Sequence, residues 1–181
     1  MEYVEPNIVK LSGSDFQLED PKQDIRGFDV YDVDGDKIGS VEDFYVDREV
    51  LVTRFLDVKA GGFLGIGKKH CLIPVEDVTR NMGEEERVRV NHDRDKVLES
   101  PDFDPEVVPD LGFQRTIYSH YGRPFPEGSS TKTTRENVAA EREGSEEGGD
   151  GVIARVAKKA GKGAAKGAVK GAAKGVVKSS D

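Results

Sequence analysis

Between Asp24 and Ser100 the chain runs as short alternating segments separated by turn residues, a pattern that fits a small sheet protein and little else. Phe28-Asp29-Val30-Tyr31-Asp32-Val33 alternates, Asp34-Gly35 interrupts, and Lys37-Ile38-Gly39-Ser40-Val41 resumes. Asp-Gly between two such runs predicts a hairpin with a type I′ turn, whose two central residues both need positive φ. A further run, Asp43–Asp47, turns at Arg48-Glu49 into Val50–Val58. In that strand Val50, Val52, Leu56 and Val58 share one face, with Leu51 and Phe55 on the other. A strand that is apolar on both faces suits a curled or closed sheet, one side lining the core and the other meeting an added element.

Farther along, His70–Ile73 reads as a strand ended by Pro74, which has no donor for a ladder bond. Val75–Thr79 reads as a turn or short helical piece, and Arg87–Val90 as the last strand. Asp93–Glu99 is a short helix candidate with Asn91 at its N-cap. About six short strands joined mostly by tight turns describe an all-β fold, a small β-barrel.

The remainder divides by composition. Residues 1–23 are a polar N-terminal arm with one apolar patch, Ile8-Val9-Lys10-Leu11. Residues 101–126 form an extension rich in aromatics and interrupted by proline (Phe103, Phe113, Tyr118, Tyr121, Phe125), expected to wrap on the barrel, with a helical turn or two over 115–121. Residues 127–150 are Ser, Thr, Glu and Gly, the composition of a disordered acidic linker. Residues 151–181 are a flexible Lys/Ala/Gly-rich repeat tail.

The barrel segment and its extension carry a resemblance. Asp24-Ile25-Arg26-Gly27, Asp34-Gly35-Asp36-Lys37-Ile38-Gly39-Ser40-Val41, Gly61-Gly62-Phe63-Leu64-Gly65-Ile66-Gly67 and Leu72-Ile73-Pro74 resemble the PRC-barrel family. That family includes the cytoplasmic domain of the photosynthetic reaction-centre H subunit and the C-terminal domain of a ribosome maturation factor. Ser100-Pro101-Asp102-Phe103-Asp104-Pro105 and His120-Tyr121-Gly122-Arg123-Pro124 are similar to the extension of stand-alone bacterial members. The resemblance spans about residues 20–126 and implies a PRC-type barrel that contacts protein partners and catalyses nothing. The basic tail has no counterpart in either named relative.

Charge is split between the two ends. The whole chain carries −8, but residues 1–150 carry −15 and residues 151–181 carry +7. An acidic body repels polyanions while the tail attracts them, so contact with an anionic membrane surface or a nucleic acid is assigned to the tail. The candidate polyanion-binding residues are Lys158, Lys159, Lys162, Lys166, Lys170, Lys174 and Lys178. From Lys162 onward they recur every fourth residue, with Gly163, Gly167, Gly171 and Gly175 in step. On a helix that spacing drifts about 40° per repeat, so the stripe winds, and each internal Gly costs roughly 1 kcal/mol against Ala. Three roles remain open for it: anionic lipid headgroups, DNA or RNA phosphates, or its own acidic body.

Other motifs read blandly. Asp32, Asp34 and Asp36 fit no calcium-loop register: one choice puts Lys37 where Gly is needed and Asp43 where a bidentate Glu is needed, and the other puts Val30 first and Val41 last. Gly61–Gly67 lacks the Gly-Lys-Ser/Thr ending and the following helix of a phosphate loop. Its Phe63, Leu64 and Ile66 pack over a barrel end or form a partner-binding lip. His70, His92 and His120 show no metal-ligand spacing, and no serine lies in a nucleophile elbow. Glu84-Glu85-Glu86 reads as a solvated turn, and the single Cys71 as a small core residue in a reducing compartment. Neither catalytic set nor cofactor is expected. No signal peptide or 18-residue apolar span is visible, which places the protein in the cytoplasm, with the tail able to hold it peripherally at a membrane. The expected function is a protein-binding adaptor, its partner unspecified and homodimerisation left open; the alternative is a nucleic-acid-associated protein with the barrel as a structural module.

Overall fold

The computed structural model describes residues 7–61, 67–80, 86–126 and 150–160. In chain order the elements are β1 (Ile8–Lys10), β2 (Phe16–Leu18), β3 (Asp29–Tyr31), β4 (Lys37–Asp47), β5 (Val52–Ala60), β6 (Lys69–Pro74), β7 (Val78–Arg80), β8 (Arg87–Val90), α1 (Arg94–Leu98), α2 (Leu111–His120), β9 (Asp150–Gly151) and β10 (Val156–Lys158). One curled sheet runs β6-β5-β4-β3-β8-β7-β9, with β1 also on β4, and β2 and β10 pair separately. The body is all-β, one sheet curled into a small half-barrel, with two short helices packed on it.

The centre of the sheet is β4. Its first half pairs with β3, the end of its second half with β1, and Gly39–Asp47 with β5. Two bulges bend this ribbon, each an extra residue on one strand: Glu42 on β4 and Arg54 on β5. The second bulge resets the alternation, so Val52 is in phase with Phe55 rather than with Leu56 as simple period-2 counting suggests. Gly39 is where β4 passes closest to β5. A Cβ there would overlap the Lys59 carbonyl oxygen, with the Lys59 carbonyl carbon 2.8 Å and the Ala60 Cα 2.9 Å away.

Two turns differ from the sequence expectation. The β3–β4 hairpin is not type I′, because only Gly35 (φ 91°) lies in the left-handed region and Asp34 does not. The N–H of Gly35 donates to Asp32 O (3.2 Å), and the Asp32 N–H donates to Asp36 O (2.9 Å), the pattern of a three-residue loop closed by a glycine bulge. The Asp32 carboxylate organises it by accepting from the N–H groups of Asp34 (3.0 Å) and Asp36 (2.7 Å). At α1 the N-cap is Asp93, not Asn91, its carboxylate accepting from Lys96 N at 2.8 Å. The helix expected over 115–121 extends from Leu111 because Asp110 caps it through Phe113 N (2.8 Å).

Neither chain end is separate from the barrel over its described part. The arm supplies β1 and β2 and buries Ile8, Leu11, Phe16 and Leu18. Residues 150–160, assigned from composition to the linker and tail, form a strap. It starts on β7, with Gly151 opposite Thr79. It then crosses the end of β5, where Thr53 N donates to Ala154 O (2.9 Å) and Val156 N donates to Leu51 O (3.0 Å), and finishes on β2. Strand β6 reaches only as far as Phe55 on that side of β5, and the strap takes over the bare edge beyond it. Val152, Ala154 and Val156 point inward and are buried, while Ile153 and Arg155 are exposed. Strand alternation of small apolar residues explains this local structure; the Lys/Gly composition that follows it conceals the signal.

A Gly39→Ala chain is expected to lose about 3 kcal/mol or more, since the collision is with backbone that cannot move without breaking the β4–β5 ladder. Thermal unfolding should show a fall of about 10 °C for a domain of this size. A shift under about 2 °C would mean the ribbon is free to spread at this point.

Candidate functional site

Of the residues singled out as polyanion-binding, the described ones lie at the end of the strap. Lys158 is exposed and closes the β10–β2 ladder opposite Phe16. Lys159 is held at both ends of its length: its N–H donates to Asp15 O (2.6 Å) and its Nζ to Ser14 O (2.7 Å). Lys162, Lys166, Lys170, Lys174 and Lys178 lie outside the described residues, as do Phe63, Leu64 and Ile66. The flanks of that glycine loop are placed. Ala60 and Lys69 form the final β5–β6 pair, and Gly61 turns away with φ 96°. Beside it the Lys69 ammonium donates to Leu98 O (2.8 Å) and Ser100 O (2.6 Å) and pairs with Asp102 (3.0 Å), fixing the exit of α1 next to the loop.

The densest polar chemistry among the described residues lies where the extension meets the barrel. After β6, Pro74 leads into a short 3-10 turn, Val75–Asp77, that aims Glu76 and Asp77 at the extension. From the other side, α2 ends at Tyr121 and Gly122 (φ 71°) swings Arg123 back over the turn. Arg123 donates from one guanidinium nitrogen to Asp77 Oδ1 (2.8 Å) and Glu76 O (2.9 Å). His92 Nε2 stands 3.2 Å from the same Asp77 oxygen. The Tyr118 hydroxyl donates to the Glu76 carboxylate (3.3 Å), and His120 donates from Nε2 to Lys96 O (2.8 Å). The rings of His92 and His120 both lie against Tyr121, at 5.0 and 4.9 Å between centroids, although 28 positions separate them in sequence.

Two aromatic trios extend this junction over the sheet. Phe55 meets Tyr118 edge-on at 5.3 Å, and Tyr118 meets Phe125 likewise at 5.3 Å. Tyr45 meets Phe103 at 5.5 Å, which leans on Phe113 at 6.1 Å. Such pairs add roughly 0.5–1.5 kcal/mol each beyond the area they bury.

Burial sets the electrostatics. It pushes the Glu76 carboxyl above the ordinary glutamate range, against the pull of its own backbone N–H, Arg54 and Arg123. It also pushes up the Tyr118 phenol, reinforced by the Glu76 charge, and the phenol of Tyr121. The Cys71 thiol, fully buried in β6, is raised for the same reason. Asp57 is raised by burial as well, partly offset by the hydrogen bond that His70 Nδ1 donates to it at 2.8 Å. At neutral pH the thiol and both phenols therefore stay protonated, and the cluster works as a polar fastening between barrel and extension. Sequence reading passed over Arg123, Asp77 and His92 as a set, because residues so far apart carry no spacing signal. His120-Tyr121-Gly122-Arg123-Pro124 alone hinted at it.

Removing the guanidinium with Arg123→Ala leaves the Asp77 carboxylate, only 4% exposed, without its cation. The expected cost is about 3 kcal/mol by denaturant unfolding, with Arg123→Lys recovering only part, since one ammonium replaces a planar fork. A loss below about 0.5 kcal/mol would show the pair to be merely superficial. Glu76 gives a pH signature. A carboxyl raised by folding binds its proton more tightly in the native state, so its stabilising effect is complete below the ordinary value of 4.5 and is lost as pH rises through the folded value. Glu76→Gln should therefore gain stability relative to the parent on going from pH 4 to pH 7. A gap that stays flat or closes over that range would contradict the assignment.

The comparisons with known proteins follow this geometry. A family profile for the PRC-barrel domain matches residues 19–97. No curated protein matches the chain. The matched segment starts just after β2 and ends in α1, and so holds strands β3 to β8 of the curled sheet but not β1, α2 or the strap with β9. The strand content and the curl of the sheet fit that profile, which identifies residues 19–97 as a PRC-barrel domain.

Proposed function

We propose that this chain is a non-catalytic adaptor, a PRC-barrel module that engages a protein partner and uses its lysine-rich C-terminal segment to hold an anionic membrane surface from the cytoplasmic side. The observation behind this reading is the anchoring of Lys158 and Lys159 on β2 and on the β1–β2 turn. The lysine repeat begins at Lys162, three residues beyond that fixed point. A body carrying −15 is itself repelled by an anionic surface, so the attraction must come from the repeat, and the body is held outward. Lysines near such a surface contribute about 1 kcal/mol each. The Ala, Val and Gly between them are small and apolar, which suits headgroup depth; a phosphate backbone makes no use of them. Among the described residues no helix is long and apolar enough to cross a membrane. The protein-partner half of the proposal assigns the contact to the β5–β6 loop that bears Phe63, Leu64 and Ile66.

The structure dictates how the proposal is tested. Truncation at residue 150 would remove the strap, so the informative variant ends at Ala160. Full-length protein should sediment with vesicles containing anionic lipid at least about a hundredfold more strongly than the 1–160 chain, and the difference should shrink as salt rises. Equal sedimentation of the two chains, or none by the full chain at low salt, would overturn the membrane role. Retention on DNA with a steep salt dependence and no vesicle binding would assign the repeat to nucleic acid instead.

A further inference from the structure

The strap has the features of an added strand. It is extended, it is held by main-chain bonds to β7, β5 and β2, and it inserts every second side chain (Val152, Ala154, Val156) into the body. That is how a peptide is recognised by strand addition, with the peptide supplied by the chain itself. Its partners all lie before residue 81, and between Pro126 and the strap stands the segment 127–149. At about 3.3 Å per residue that segment spans up to roughly 75 Å, several times the width of a small barrel. Every contact the strap makes to its own body is therefore available, unchanged, on the body of a second molecule.

We infer that the bare edge at Leu51–Thr53, flanked by β2 and β7, is a docking site for residues 150–158 of a second copy of this chain, so that two molecules exchange straps. The partner is identified by complementarity: the sequence that fits this edge in length, register and side-chain size is on the page, and a second copy supplies it. Because the contacts in the two arrangements are identical, only effective concentration separates them. A strap on a tether of this kind competes at a millimolar level. Exchange is thus minor in dilute solution and substantial where copies are crowded. The inference is independent of the tail's ligand.

The pair Val52 and Arg155 reports on it. These residues face each other between the Thr53 N–Ala154 O and Val156 N–Leu51 O bonds as a non-hydrogen-bonded antiparallel pair, the kind whose side chains approach more closely. Cysteines at such positions suit a disulfide. Neither residue is buried, so both substitutions are tolerable, and the buried Cys71 stays in place, with the parent chain as control. A chain carrying Val52→Cys together with Arg155→Cys should close an internal disulfide. Differently tagged chains, one Val52→Cys and the other Arg155→Cys, are then mixed, incubated and oxidised. The expected product is a covalent heterodimer in clear excess over both homodimers, rising at least about tenfold between roughly 10 µM and roughly 1 mM protein. Absence of heterodimer at the higher concentration while the double variant closes internally would overturn exchange. So would a statistical mixture of dimers, and failure of the double variant to close would remove the strap contact itself.

Discussion

Strand β4 hydrogen-bonds to three others, and it can do so only because it turns partway along. A straight eleven-residue strand offers two edges, each to one neighbour. Here one edge is divided, β3 taking Lys37–Ser40 and β1 taking Tyr45–Asp47, while β5 follows the other edge through two bulges. The bend requires a residue without a side chain where β4 presses on Lys59, and Gly39 is that residue. A side chain at this point would force β4 and β5 apart at one end of the ribbon on which the extension and the strap are seated.

The same bend makes β5 a strand with no solvent-facing side over most of its length. Phe55, Leu56, Asp57 and Val58 are all buried. Its inner face packs in the barrel; its outer face needs a cover, which α2 supplies through Tyr118. The polar fastening of Arg123, Asp77 and Glu76 then orients that cover, because aromatic contact alone is weakly directional while a guanidinium bridging a carboxylate and a carbonyl is not. Burial also raises the Glu76 carboxyl and the phenols of Tyr118 and Tyr121, while Asp77 is paired with Arg123.

What was legible in the sequence follows from the range of the signals. The barrel strands were visible because alternation is local, and so was the need for a cover on β5, since Val50–Val58 is apolar on both faces. The phase of Val52 was lost because a bulge leaves no mark in a single strand; it exists only relative to the partner. Asp34-Gly35 marked the right turn but the wrong type, as the deciding bonds come from the Asp32 carboxylate, outside the dipeptide. The strands within the arm and the strap were not legible for one reason: Phe16–Leu18 and Val156–Lys158 are each three residues long and become strands only on each other. No window short enough to be read locally contains both. The fastening at Arg123 was hidden in the same way.

The strap also changes the meaning of the charge split. Read as composition, a −15 body and a +7 end are two separate pieces, and the end is free to fold back on any acidic surface within reach. Arg155, Lys158 and Lys159, three of its eight cations, belong instead to the folded body, with Lys158 fixed on β2 and Lys159 on the β1–β2 turn. The change of charge sign at residue 150 therefore does not coincide with an edge of the fold, because the strap carries the first basic residues of the C-terminal segment into the sheet.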